Sequence, residues 1–267
     1  MNRIDQKFKE LRKKRQKAFI AFVTAGDPAL RITEELVLSF ERNGVDIVEL
    51  GVPFSDPLAD GATIQASSQR ALQNAVNIPR ILNTVKRIRQ QSQIPIALMT
   101  YYNPVYHYGE QKFVQDAKRS GVDGIIIPDL PPEEAEGIIR HSKRNDMATI
   151  FFLAPTSTRQ RVRRIVKQST GFIYYVALTG VTGARKGFDR SNAAKIRSFR
   201  EFTTKPICVG FGVSTPVQVK AAAKVADGVI VGSAIVDRIN RNAGKRDCVT
   251  NVSGFVRTLA RALKVRE

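Results

Sequence analysis

Short apolar runs rich in β-branched and aromatic residues alternate with amphipathic stretches along almost the whole chain. The runs are 18–23 (AFIAFV), 45–50 (VDIVEL), 95–100 (PIALMT), 123–128 (DGIIIP), 148–153 (ATIFFL), 172–177 (FIYYVA), 206–211 (PICVGF) and 227–232 (DGVIVG). Several are apolar at nearly every position, the pattern of a parallel strand covered on both faces. Between them, apolar residues recur at helical spacing over 29–43, 62–74, 78–91, 110–119, 133–143, 158–168, 190–200 and 216–225. Amphipathic stretches at 2–15 and 248–264 flank the series, and a short helix is predicted to open at Gly232.

Strand–helix alternation of this kind predicts a parallel sheet with right-handed crossovers. Eight repeats in 267 residues favour closure into one single-domain (β/α)8 TIM barrel over an open sheet. The whole of 1–267 reads as one domain, with 1–16 an extra amino-terminal helix. Thr24-Ala25-Gly26-Asp27-Pro28 stands where a dinucleotide-binding fold would carry its glycine fingerprint.

Composition narrows the classes. A hydrophobic content of 43% is enough for one large core, and no run of about 18 uncharged apolar residues is present to span a bilayer. The first residues, MNRIDQKFKELRKKRQK, lack the apolar stretch of a secretory signal. Cys208 and Cys248 are far apart, and Cys208 sits in an apolar strand, which points to a reducing, cytoplasmic setting. The net charge of +19 raises nucleic acid as a partner. Its basic residues, however, are scattered over solvent-facing helical positions without interleaved aromatic rings, so a solvated basic surface is expected, with no nucleic acid and no membrane as partner.

In a closed barrel the chemistry sits just beyond the carboxyl ends of the strands. Glu49 is the one acidic residue in the second half of its strand, placed by alternation on the face of Ile47 and Val45. Poor solvation there would raise its pKa towards a value useful for proton transfer; a salt-bridged structural glutamate is the alternative. Asp60 ends the following loop and reads either as a helix cap or as a second carboxylate of the site. Asp56, between Ser55 and Pro57, reads as a turn residue or a partner contact. Glycines cluster after strands six (178–187), seven (Gly210-Phe211-Gly212) and eight (Gly232-Ser233), where barrels of this type hold phosphate on close backbone and a helix amino terminus. Phe22, Ile64, Met99, Tyr174 and Phe211 are candidates to line an apolar pocket, with core packing as the plainer alternative. His107 and His141 have no partners at metal-ligand spacing, so no metal site is expected.

Read together, Thr24 to Pro28, the run Glu49-Leu50-Gly51-Val52-Pro53-Phe54-Ser55-Asp56-Pro57 with Asp60-Gly61, Met99 to Pro104, Pro128-Asp129-Leu130-Pro131, Ala154-Pro155-Thr156, Thr179-Gly180-Val181-Thr182-Gly183 and Gly210 to Val213 resemble the tryptophan synthase alpha subunit family. The resemblance runs from Lys17 to the carboxyl terminus. It implies retro-aldol cleavage of indole-3-glycerol phosphate to indole and glyceraldehyde 3-phosphate. It further implies Glu49 as general acid and base, Asp60 as acceptor of the indole N–H, and Tyr174 close to Glu49. Gly183, Phe211, Gly212, Gly232 and Ser233 would hold the phosphate, while Phe22, Ile64 and Met99 would flank the indole. The implied partner is a pyridoxal-phosphate-dependent beta subunit in an α2β2 complex, met by Asp56, Pro57, Tyr102 and Asn103 in loops. This chain would need no cofactor of its own. The loops 53–60 and 178–187, the latter including Thr182, are the expected lids.

Three positions depart from the family pattern. Ala177 stands where serine is usual, the lid differs over 184–189, and the turn at 224–227 is short. Two other readings compatible with the sequence are a sister phosphate-binding barrel enzyme and a catalytically weak barrel that acts mainly as activator of a beta subunit.

Overall fold

The computed structural model describes residues 2–176, 190–210 and 212–264. The first half of the chain runs α1 (Arg3–Lys13), β1 (Ala18–Thr24), α2 (Leu30–Arg42), β2 (Ile47–Gly51), α3 (Ala62–Gln73), α4 (Ile78–Arg89), β3 (Ile96–Met99), α5 (Tyr102–Tyr108) and α6 (Glu110–Ser120). There follow β4 (Gly124–Ile126), α7 (Glu136–Arg144), β5 (Ala148–Ile150), β6 (Phe152–Leu153), α8 (Arg159–Gln168), β7 (Ile173–Val176) and α9 (Arg190–Phe199). The last elements are β8 (Ile207–Gly210), α10 (Pro216–Ala223), β9 (Gly228–Val231), α11 (Ser233–Asn242) and α12 (Cys248–Lys264).

All strand pairings are parallel, in the order β5-β4-β3-β2-β1-β9-β8-β7-β6. The two end members are halves of one run separated by Phe151, so the sheet closes on itself. The stretch 148–153, expected as one strand, divides because its first half pairs with β4 and its second with β7. The eight-stave barrel expected from the apolar runs is therefore present.

Strand alternation sorts the core into two layers. Phe19, Ala21, Val23, Val48, Leu50, Ile96 and Leu98 pack outward against the helices. Ala18, Ile20, Ile47, Ala97, Ile126, Ile150, Cys208 and Ile230 fill the barrel interior. Ile4, Phe8 and Leu11 share one face of α1 and belong to that interior cluster, so α1 closes the amino-terminal end of the barrel like a plug.

Three aspartates at that end repeat one device. Each stands immediately before a strand and accepts the N–H of a residue on the strand beside it: Phe19 to Asp46, Ile96 to Asp123 and Ile207 to Asp227, all at 2.9 Å. Asp123 is further bound by Arg3 and Arg89, at 2.9 Å each. Asp227 is bound by Arg200, with Lys17 at 3.7 Å. These contacts pin the register of β1–β2, β3–β4 and β8–β9, and no apolar residue could supply them.

Two expectations from the sequence need correction. Val45 does not share the face of Glu49: β2 begins only at Ile47, and Val45 packs in the outer layer. Tyr102 and Asn103 lie not in a loop but in the first turn of α5. Pro104 is tolerated there because an amino-terminal turn has no use for its missing N–H.

Candidate active site

Glu49 occupies the third position of β2, with Phe22 and Ala97 as its register partners. Ile47 points into the barrel and Val48 out of it, so alternation turns Glu49 inward. Its exposure is 0%. Neither carboxyl oxygen has a hydrogen-bond partner. Burial without a compensating donor or cation penalises the charged form, and it pushes the Glu49 pKa from 4.5 up to about 8. At neutral pH the side chain is mostly a neutral acid, able to give a proton and then take one back. A salt-bridged structural role does not fit, since among the described residues no basic side chain pairs with it.

The second carboxylate arrives by a different route. The segment from Gly51 to Gly61 leaves β2 and brings Asp60 to the mouth of the barrel, half-buried. Desolvation raises its pKa, against the opposing effect of a hydrogen bond with Tyr101. The Tyr101 hydroxyl also receives the backbone N–H of Ala59 at 2.8 Å, which fixes the end of the loop. Asp60 is not the cap of α3: Gly61 holds that position, and no side chain caps it. The carboxylate is thus left available to a ligand. Tyr101 was not among the residues singled out from the sequence, where the adjacent Tyr102 hides it.

A cavity of about 490 Å³ opens at this end of the barrel, lined in part by Phe22, the register partner of Glu49. Its apolar wall includes Phe22, Ile64 and Met99, which also pack together as one cluster with Val236. Tyr174 lines the cavity and stacks on Phe152, with ring centroids 4.7 Å apart. Burial first, and then the nearby Glu49 charge, hold the Tyr174 hydroxyl well above its ordinary pKa, so it stays protonated. Two glycines make room for these rings. A Cβ at Gly51 would lie 2.7 Å from Phe22, and one at Gly210 would lie 2.8 Å from the Tyr174 hydroxyl. Beside Asp60, Thr24, Ser68, Thr100 and Tyr101 line a side recess of about 10 Å³, close to the room one water needs.

Glycines form another part of the lining. Gly212, Gly232 and Ser233 all line the cavity. Gly212 has a φ of +73°, and the space its missing side chain would fill is open. Gly232 is the amino-terminal cap of α11 and brings no capping side chain, so among the described residues the N–H groups of Ser233 and Ala234 have no side-chain partner, and Ser233 lines the cavity. Such a terminus favours an anion through both its donors and its dipole. Phe211, Gly183, Thr182 and Ala177, together with the lid over 184–189, lie outside the described residues.

Asp56, Pro57, Tyr102 and Asn103 gather near this mouth of the barrel, on the segment after β2 and on α5. Asp56 and Asn103 are exposed, Pro57 and Tyr102 are partly so, and Leu58 between the loop residues is 88% exposed. Asp56 accepts from Ser55. Among the described residues no group of three or more His, Cys, Asp or Glu is placed to hold a metal ion, and no helix is long and apolar enough to cross a membrane.

Comparison with known proteins gives this geometry a family. A family model described as tryptophan synthase alpha chain matches residues 8–264. The tryptophan synthase alpha chain of Geotalea daltonii is 48% identical over 259 residues, covering 97% of this chain and 98% of that one. Among solved structures, tryptophan synthase subunit alpha from Legionella pneumophila aligns with a TM-score of 0.92 at 34% identity, over 99% of both chains. A chain of the tryptophan synthase α2β2 complex from the hyperthermophile Pyrococcus furiosus aligns with a TM-score of 0.85 at 37% identity, over 91% of this chain and 98% of that one. The chain belongs to the tryptophan synthase alpha chain family.

Proposed function

We infer that this barrel cleaves indole-3-glycerol phosphate into indole and glyceraldehyde 3-phosphate, with Glu49 as the acid and base. The observation that carries this reading is a neutral, unpartnered carboxyl buried on β2 in register with Phe22, which lines a cavity built from apolar side chains and glycines. The indole ring fits among Phe22, Ile64 and Met99. The phosphate fits at Gly212 and the amino terminus of α11, where binding energy remote from the reacting carbons serves to orient them.

The proton balance closes on one residue. Glu49 gives its proton to ring carbon C3, while Asp60 accepts the indole N–H and stabilises the positive charge of the protonated ring. Glu49, now a carboxylate, takes the proton of the glycerol hydroxyl next to the bond to be broken. The C–C bond breaks, its electrons return to the ring, the hydroxyl carbon becomes the aldehyde, and Glu49 ends protonated as it began. A pKa of about 8 suits a group that must do both jobs near neutrality. Tyr174, held protonated beside Glu49, can donate a hydrogen bond to the transient carboxylate.

These steps are proton transfers and a bond cleavage that side chains can supply, so the chain is assigned no cofactor of its own. The solved Pyrococcus furiosus relative comes from an α2β2 complex, and a beta subunit carrying pyridoxal phosphate is the partner assigned here, with Asp56, Pro57, Tyr102 and Asn103 on the face that meets it. Two buried free thiols, Cys208 and Cys248, agree with a cytoplasmic setting. Indole release from indole-3-glycerol phosphate by the purified chain, with and without a beta subunit, tests the reading. Turnover by the chain supports it; stimulation of a beta subunit without any indole release would replace it with the activator role.

A further inference from the structure

We propose that Asp129, in the loop after β4, is a positioning residue for Asp60, acting through the first turn of α5 and the Tyr101 hydroxyl. The functional consequence rests on the reading above, in which Asp60 receives the indole N–H.

The starting point is a helix end capped from elsewhere. The residue at the amino-terminal cap of α5 is Tyr101, whose side chain makes no capping hydrogen bond. The first N–H of the helix, that of Tyr102, donates instead to both carboxyl oxygens of Asp129, at 2.9 and 3.2 Å. Asp129 belongs to another strand's loop, 27 residues further along the chain. An anion at that position satisfies an orphan donor and complements the helix dipole. Asp129 is itself held: Pro128 before it and Pro131 beyond it restrict the backbone, and Leu130 is buried with its N–H on the Ile127 carbonyl.

The next link turns two adjacent tyrosines in different directions. Tyr102 sends its hydroxyl away to Glu110 on α6, at 3.0 Å. Tyr101 is buried and packs on Phe54, with ring centroids 5.3 Å apart. Its hydroxyl accepts the Ala59 N–H at 2.8 Å, which sets it next to Asp60, whose pKa it lowers. With one donor already aimed at its oxygen, the hydroxyl's own proton is free to point at the Asp60 carboxylate. Burial first, then the Asp60 charge and least the Asp129 charge keep that hydroxyl protonated. An exposed carboxylate thereby fixes the backbone of Tyr102, that backbone fixes the ring of Tyr101, and the ring's hydroxyl sets Asp60.

A cap with a purely structural role would change the stability of α5 and nothing at Asp60. Two readouts separate the cases in the full chain without a beta subunit, so that no partner contact at α5 intervenes. In steady-state indole release, Asp129→Ala should lower kcat about fourfold with KM little changed, within the range of one lost cap contact and no more than the loss of the Tyr101 hydroxyl itself. Asp129→Asn, which keeps an acceptor, should recover most of it. In a Tyr101→Phe background the same Asp129→Ala change should cost less than about twofold, because the link is already cut. In a carbon-13 NMR titration of the Asp60 carboxyl, Asp129→Ala should raise the midpoint when Tyr101 is present and leave it unmoved when Tyr101 is Phe. Near-native kcat per folded molecule in Asp129→Ala, or equal losses in both backgrounds, would overturn the proposal. Should the unaltered chain release no indole, the role given to Asp60 fails, and the NMR titration alone still decides whether Asp129 acts on it.

Discussion

At the amino-terminal end of the barrel, Asp46, Asp123 and Asp227 each accept a neighbouring strand's N–H at 2.9 Å, and two of them hold arginines as well. At the other end Glu49 is fully buried, as Asp46 and Asp123 are and the partly exposed Asp227 is not, yet both its oxygens lack any partner. The same chemical group is satisfied at one end and starved at the other. Satisfied carboxylates lock the strand register and stay inert. A starved one becomes a neutral acid at physiological pH, and this destabilises the fold in exchange for reactivity. The contrast agrees with the general division of such barrels into a stability face and a catalytic face.

Removing the two kinds of carboxylate should therefore have opposite effects. Glu49→Gln should lower indole release by about 10²- to 10⁴-fold, as expected when a general acid and base is lost. It should also stabilise the protein at high pH. With a folded pKa of about 8 against 4.5 in the unfolded chain, the native state binds more protons throughout that window. Stability is therefore fullest below pH 4.5 and declines as pH rises through 8, by about 5 kcal/mol for this shift in a fully buried group. Denaturant unfolding at pH 9 should find Glu49→Gln more stable than the parent, with the gap gone near pH 5.

Asp123→Ala should do the reverse. It strands Arg89, whose guanidinium burial pulls down to about 10, still charged at neutral pH. Unfolding measurements should show a loss of about 3–5 kcal/mol, with turnover per folded molecule unchanged. A smaller effect is expected at the glycine wall. Gly212→Leu has open space to enter but must adopt a φ near +73°, a strain of about 1–2 kcal/mol. Calorimetry should find weaker binding of glyceraldehyde 3-phosphate before any loss of fold. Smallest of all, Tyr101→Phe should cost about 1 kcal/mol in transition-state stabilisation, read from kcat/KM, through one hydrogen bond at Asp60.

Much of this division is written locally in the sequence. The run 18–23 and the centre of 227–232, Val229 to Val231, are apolar at every position, so their parallel, doubly covered character is legible without a structure. Glu49 stands out because a carboxylate inside such a run must face one apolar layer or another. The glycine wall is legible from spacing after the last strands. What could not be read depends on contacts between distant segments. The break at Phe151 reflects which neighbour each half of the strand meets as the barrel closes. The helix at Tyr102–Tyr108 is capped by Asp129 from another loop, so no local signal marks its start. Tyr101 gains its place only when α5 and the loop ending at Asp60 come together. The matched aspartates before β2, β4 and β9 have a visible motif, Asp between an apolar residue and the strand, but their acceptor role appears only once the neighbouring strand is in register.

The ionisation of Glu49 can be followed directly in the ligand-free chain by the carboxylic-acid carbonyl band in infrared difference spectra, assigned by its disappearance in Glu49→Gln. A protonated band that persists at pH 7 and titrates near 8 agrees with a buried, partnerless acid ready to protonate the indole ring. A side chain already ionised at pH 6, with its midpoint near 4.5, would mean that water or a cation reaches position 49, and that the group assigned both proton transfers is an ordinary solvated carboxylate.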